Sequence, residues 1–225
     1  EKLVRLPATR FCYEAPDFMP EVNALPALRS GHVTFGCFNS LAKVNARVLA
    51  LWARLLAALP ESRLVLQAGA LSDAPNRERF RALALAQGIS SERLDLRPFV
   101  AVEDAAAGYH DIDIALDPFP FCGGMTSLDA LWMGVPVVTL PQEMIAGRQT
   151  AALLANLGLE ELIATDDARY VDIAVSLAKD LPRLAALRAG LRERFRASPL
   201  ADSERFTRDL ERAYREMWRS WVGGG

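Results

Sequence analysis

Runs of β-branched and aromatic residues alternate along this chain with amphipathic stretches of helical period, and few folds accommodate that alternation. His32–Asn39 is an apolar run that ends in polar residues. Asn45 then caps a helix over 46–59, where Val48, Leu51, Trp52, Leu55, Leu56 and Leu59 fall on one face. The pattern repeats with strands Arg63–Ala68, Arg93–Phe99, Ile112–Leu116 and Val135–Leu140. Between them lie helices over 75–87, 103–110 and 126–133, the first and last closed by Gly88 and Gly134. Strands separated by helices imply right-handed crossovers, so the spacing predicts an α/β fold: a Rossmann-like parallel sheet with helices on both faces. After residue 148 the chain turns helical, over 149–157, 168–180, 181–196 and 203–221. The last of these carries Phe206, Leu210, Tyr214, Met217, Trp218 and Trp221 on a stripe that must pack on something. Residues 1–30 hold Pro7, Pro16, Pro20 and Pro26 with little periodicity and read as an extended lead-in. Residues 31–200 then form the sheet domain, and 201–225 a helical tail that ends in disordered glycines.

Bulk properties exclude several classes. The 225 residues carry a formal net charge of −2, which argues against a protein held to nucleic acid by a basic face. No stretch approaches the ~20 apolar residues needed to cross a bilayer. The first residues lack the apolar core of a signal peptide. Because the chain begins with Glu1 rather than Met, it is expected to be a fragment or a processed chain. Cys12, Cys37 and Cys122 have no metal-ligand spacing and read as idle thiols in a reducing cytoplasm. His32 and His110 lack the partners of a base–nucleophile pair and read as structural, and no metal is expected.

In open parallel sheets, ligands bind beyond the carboxyl ends of the strands. Three segments fall there. In Asp117–Asp129, Gly123 and Gly124 let a ligand approach the backbone, and Thr126 and Ser127 start a helix whose free amides attract anions. Asp129, one turn in, suits the hydroxyls of a ribose. Loop, hydroxyls and carboxylate together describe a nucleoside-diphosphate site; the alternative is a plain turn with a capped helix. Neither a Walker loop nor a Gly-x-Gly-x-x-Gly is present. The second segment, Phe38–Lys43, offers Ser40, an amide and Lys43, a compact cation suited to a diphosphate leaving group. In the third, Pro141–Arg148, a structural Arg148–Glu143 pair is the favoured reading.

Residues 26–43 (Pro-Ala-Leu-Arg-Ser-Gly-His-Val-Thr-Phe-Gly-Cys-Phe-Asn-Ser-Leu-Ala-Lys) and 117–140 (Asp-Pro-Phe-Pro-Phe-Cys-Gly-Gly-Met-Thr-Ser-Leu-Asp-Ala-Leu-Trp-Met-Gly-Val-Pro-Val-Val-Thr-Leu) resemble the catalytic half of the O-GlcNAc transferase and SPINDLY-like family. The likeness runs over nearly the whole chain. It implies the C-terminal lobe of a two-lobed GT-B glycosyltransferase, the lead-in arriving from an N-terminal lobe and the tail packing on both lobes. It implies a UDP-sugar donor such as UDP-GlcNAc, no metal or other cofactor, and transfer with inversion to Ser or Thr of a protein acceptor reached through the N-terminal region. Lys43 then supports the departure of UDP, Gly123, Gly124, Thr126, Ser127 and Ser40 surround the phosphates, and Asp129 holds the ribose. A fragment of such an enzyme is expected to bind UDP but not to turn over.

The sequence departs from that pattern in places. Met125 stands where the first hydroxyl after the glycines is usual, and Ser40 where an amide is common. Val102 and Ala105 replace a Lys or His beside uracil, and Gln67 replaces a frequent basic residue. Two alternatives stay open: a decayed, non-catalytic domain, or a GT-B enzyme with a non-protein acceptor.

Overall fold

Five short apolar runs pair edge to edge into one parallel sheet in the computed structural model, which describes residues 3–98 and 101–223. The strands are β1 (Thr34–Cys37), β2 (Arg63–Ala68), β3 (Leu94–Pro98), β4 (Ile114–Leu116) and β5 (Val137–Val138), in the order β3-β2-β1-β4-β5. Phe35 registers with Leu64 on one side and Ile114 on the other, and Leu116 with Val138. β1, β4 and β5 are buried at every residue, as continuous apolar runs require when both faces are covered. The chain builds outward from β1 to β3, then returns to the other side of β1 with β4. That reversal puts the topological switch point between β1 and β4.

The helices are α1 (Ala27–Ser30), α2 (Ala46–Ala58), α3 (Ala74–Ala86), α4 (Val102–Gly108), α5 (Met125–Trp132), α6 (Gln149–Asn156), α7 (Asp167–Lys179), α8 (Leu181–Arg196) and α9 (Ser203–Val222). The Asn45 side chain caps α2 by accepting from the Val48 amide at 3.1 Å. The predicted apolar face of α2 is buried, and its Trp52 donates to the Tyr170 hydroxyl of α7 at 3.2 Å. Strand lengths differ from the sequence reading. β1 begins at Thr34 rather than His32, and β5 is a two-residue pairing extended by a Thr139–Ile163 bridge. Apolar character marks burial, whereas ladder pairing depends on how far a twisted neighbour runs alongside. Phe99, expected to end β3, and Gly224 and Gly225 of the tail lie outside the described residues, as does the side chain of Val102.

The lead-in packs against the sheet domain. Tyr13 is buried with its ring 6.0 Å from Trp132 and 5.5 Å from Phe195, and its amide donates to Leu200 at 2.8 Å. Two arginines of α8 anchor the segment: Arg188 donates to Asn23 and to the carbonyls of Tyr109 and Ile112, and Arg192 reaches Glu21 and the Trp132 carbonyl. Its last four residues form α1, closed by Gly31 at φ 76°. The helix that was expected to pack on two lobes, α9, buries only Ala213 fully and leaves Tyr214, Met217, Trp218 and Trp221 exposed.

Candidate functional site

Two of the three segments nominated by the sequence, 38–43 and 117–129, meet at the switch point through one amide oxygen. β1 ends at Cys37, and the chain turns through Asn39 into a single 3-10 turn that carries Lys43. Lys43 Nζ donates to Asn39 Oδ1 at 3.1 Å and to the Cys122 carbonyl at 2.9 Å, and it lies 4.2 Å from the centre of the Phe121 ring. Thr126 Oγ1 donates to the same Asn39 Oδ1, also at 3.1 Å. Asn39 is buried, so its oxygen fixes a cation and a hydroxyl side by side at the head of α5. Ser40 is exposed on the same turn.

Asp117, at the end of β4, shapes the loop between them. One carboxylate oxygen accepts from the Gly123 amide at 2.6 Å and the other from the Thr139 hydroxyl at 2.6 Å. Burial pushes this carboxyl above its ordinary range, and those bonds with the nearby Lys43 charge pull it back. The two glycines do different work. A Cβ on Gly123 would meet Ser127 Oγ at 2.1 Å, so the loop closes tightly onto α5. On Gly124, the cap of α5, it would meet nothing nearer than Gln149 Oε1 at 3.7 Å, so that backbone faces open space. Ser127 and Leu128 donate back to the Gly124 carbonyl, while the amides of Gly124, Met125 and Thr126 bond to none of the described residues. Three free amides at a helix start have the chemistry to hold an anion.

Other nominated side chains are placed differently. Ser127 is buried, and its hydroxyl pairs with Thr150 Oγ1 at 3.0 Å. It packs the loop from within, because the rotation of about 100° per helical residue turns it from the open face that Thr126 lines toward the sheet. Met125 occupies the open face and is 61% exposed. The expected Arg148–Glu143 pair does not form: Arg148 Nε donates to the Gln142 carbonyl at 2.8 Å, and Glu143 is exposed. The tight turn satisfies the guanidinium with backbone oxygen before a side chain can reach it. His110 is bound to the Glu21 carbonyl at 2.7 Å and His32 to Ser30 at 3.1 Å, both structural contacts. Among the described residues, no group of three or more His, Cys, Asp and Glu is placed to hold a metal.

Asp129 lies one turn into α5, half-buried, and accepts from the Tyr13 hydroxyl at 2.7 Å. Burial raises its carboxyl, opposed by that bond; burial and the same bond raise the Tyr13 hydroxyl. Beside it opens a cavity of about 150 Å³, lined by Phe38, Gln67, Ala105, Tyr109, Thr126 and Asp129. The rings of Phe38 and Tyr109 lie 4.6 Å apart, tilted by 38°, and the Tyr109 hydroxyl donates to the Thr126 carbonyl at 3.0 Å. Larger clefts lie elsewhere. One, of about 400 Å³, runs between α2 and α3, and another, of about 290 Å³, opens among Arg29, Arg63 and Asp95. The second includes Thr34 and Leu94 at the amino ends of their strands, the wrong edge for a ligand of this fold. The sequence left Asp117, Tyr13, Tyr109 and Thr150 without a role. Asp117 was signalled by its place at a strand end, and nothing local signalled Tyr13.

With this geometry in view, residues 23–210 match the sequence family described as Glycosyl transferase family 41. A Petunia hybrida protein named "Probable UDP-N-acetylglucosamine--peptide N-acetylglucosaminyltransferase SPINDLY" is 40% identical over all 225 residues, which span 24% of its length. The chain therefore covers about a quarter of this curated relative. A solved structure of a Thermobaculum terrenum O-GlcNAc transferase mutant superposes with a TM-score of 0.89 at 43% identity, over 98% of this chain and 42% of that one. A sucrose-phosphate synthase from Thermosynechococcus elongatus shares the fold, with a TM-score of 0.60 at 16% identity over 90% of this chain and 52% of that one.

Proposed function

Because this chain belongs to glycosyl transferase family 41, we propose that it is the donor-binding part of an inverting glycosyltransferase that moves a sugar from UDP, with GlcNAc the favoured sugar, to Ser or Thr of a protein. The carrying observation is the convergence of Lys43 Nζ and Thr126 Oγ1 on Asn39 Oδ1 at the head of α5. The donor diphosphate lies over the free amides of Gly124, Met125 and Thr126. Lys43 turns its ammonium from the Cys122 carbonyl and the Phe121 ring onto the phosphates, with Ser40 beside it. The acceptor hydroxyl attacks the anomeric carbon from the face opposite UDP. As that bond forms, the bond from the anomeric carbon to the β-phosphate oxygen breaks, its electron pair leaving with UDP, and the hydroxyl's proton passes to solvent. Negative charge grows on the departing diphosphate, so a fixed cation and aimed amides act where the transition state is most charged. Lys43 and the amides do this without a metal. Asp129, its Oδ1 held by Tyr13, presents its other oxygen to the ribose hydroxyls.

The intact Lys43–Asn39–Thr126 connection favours a working site over a decayed one, despite the loss of a hydroxyl at Met125. Similarity to a protein named as a peptide transferase favours a protein acceptor over a glycan or lipid. Three free cysteines, Cys12, Cys37 and Cys122, favour a reducing compartment such as the cytoplasm. Calorimetry with UDP tests the reading. The parent chain is expected to bind and Lys43→Met to bind at least tenfold more weakly, about 1.4 kcal/mol. No heat from the parent at millimolar UDP overturns the proposal.

A further inference from the structure

Gln67 sits next to the carboxyl end of β2, in register with Arg97 of β3. It is only 6% exposed, and its Oε1 is the one buried side-chain nitrogen or oxygen without a hydrogen-bond partner among the described residues. Leaving a buried carbonyl unpaired costs folding free energy, and such an exception in a folded domain calls for a cause. Among the described residues, the surroundings supply no internal partner. A Cβ on Gly108 would sit 2.4 Å from Oε1, so any larger residue there would collide with the amide. Ala105, on the same helix, carries no side-chain donor for it. The amide lines the 150 Å³ cavity together with the rings of Phe38 and Tyr109. Thr126 and Asp129 line the same cavity from the head of α5, where the proposed diphosphate and ribose lie.

A narrow cavity with aromatic walls, one nucleoside away from a phosphate cradle, suits a flat heterocycle. A carboxamide presents a donor and an acceptor side by side, which is the complement of an imide edge: a ring N–H next to a ring carbonyl. We infer that Gln67 reads the imide edge of the donor's nucleobase, its Oε1 accepting from the ring N–H and its Nε2 donating to the adjacent carbonyl. The inference rests on the donor-site reading given under Proposed function. Uracil and guanine both carry such an edge, and UDP and GDP are the arms that separate them.

The test compares the 225-residue chain with its Gln67→Met variant, which keeps the side-chain bulk and removes the amide. Calorimetry uses UDP, GDP, the ring-N-methylated form of whichever binds, and inorganic pyrophosphate. The parent should bind one nucleotide and discriminate at least tenfold against its N-methylated form. Gln67→Met should lose about tenfold in affinity for that nucleotide, lose the discrimination, and bind pyrophosphate as the parent does. Its melting temperature should be no lower than the parent's, because an unpaired buried amide has been removed. Equal nucleotide affinity in the two proteins overturns the inference while leaving the donor site standing. So does a loss that falls equally on pyrophosphate, or one that comes with a lower melting temperature. If the parent binds neither nucleotide, the donor-site reading fails first and this inference falls with it.

Discussion

Asn39 shows how one side chain makes a site out of two loops. Its Oδ1 takes hydrogen bonds from Lys43 and Thr126, residues more than eighty positions apart, and so fixes their separation before any ligand arrives. Thr126 and Ser127 are chemically alike in the sequence, yet the helix sends one hydroxyl to this cluster and the other to Thr150. Ser127→Ala should therefore keep UDP affinity within about twofold, whereas Thr126→Val should lose about fivefold to tenfold, as calorimetry would show. A Ser127→Ala loss as large as that of Thr126→Val would contradict this assignment. Asp129 carries the other residue-scale prediction. Burial raises its carboxyl pKa, so between the ordinary carboxylate value and the raised one the folded chain holds more protons than the unfolded chain. Stability then falls as pH rises through that window, and Asp113 and Asp117, also raised by burial, contribute with the same sign. Asp129→Asn should flatten this slope, be more stable at neutral pH and bind UDP more weakly. Denaturant unfolding across pH 4–7 checks the first two outcomes.

At the scale of elements, β1, β4 and α5 do most to place the chemistry. β1 delivers Asn39 and Lys43 at its exit, β4 delivers Asp117, and α5 turns three free amides toward the same opening. Gly123 lets the loop close on α5, where a Cβ would meet Ser127. The last helix behaves differently. α9 has a strong apolar stripe, yet Phe206 and Leu210 are half-buried, Trp218 is 65% exposed and Trp221 79% exposed. Amphipathic period guarantees that a helix has an apolar face, but not that this chain covers it. Trp218→Ser combined with Trp221→Ser should change unfolding free energy by less than about 0.5 kcal/mol. A larger loss in denaturant unfolding would mean that these indoles pack on the domain after all.

Across the whole molecule, α8 ties the lead-in to the sheet domain. Arg188 is 1% exposed and donates to Asn23, Tyr109 and Ile112, joining the lead-in to the connection that runs into β4. Burial lowers its guanidinium to about 10, with the Asp113 charge opposing, so it is still cationic at neutral pH. Arg188→Met strands several buried carbonyls and should cost about 3 kcal/mol, read as a lower denaturant midpoint. A midpoint within error of the parent's would show that these bonds are replaceable. The α/β class, the succession of strands and helices along the chain and the nominated loops were legible in the sequence, because hydrophobic period and glycine placement are local signals. Asn45 as a cap and Arg63–Ala68 as a strand could be read from a few neighbouring residues. Lys43 and Asp129 could be nominated because strand ends and helix starts have fixed chemistry in a parallel sheet. The partners of those residues had no such signal. Tyr13 lies 116 positions before Asp129, in a stretch without periodicity, and only the packing of Trp132 and Phe195 brings its hydroxyl there. Nor could spacing reveal that Ser127 turns inward or that Arg148 bonds to backbone rather than Glu143. The unpaired Gln67 is a fact of three elements meeting, β2, α4 and the turn after β1. Sequence thus determined which segments form strands and helices and which loops face the ligand edge, since those depend on residues close in the chain. Tertiary structure alone decided which polar atoms are satisfied and which are left unpaired, since burial and hydrogen bonding are properties of the packed whole.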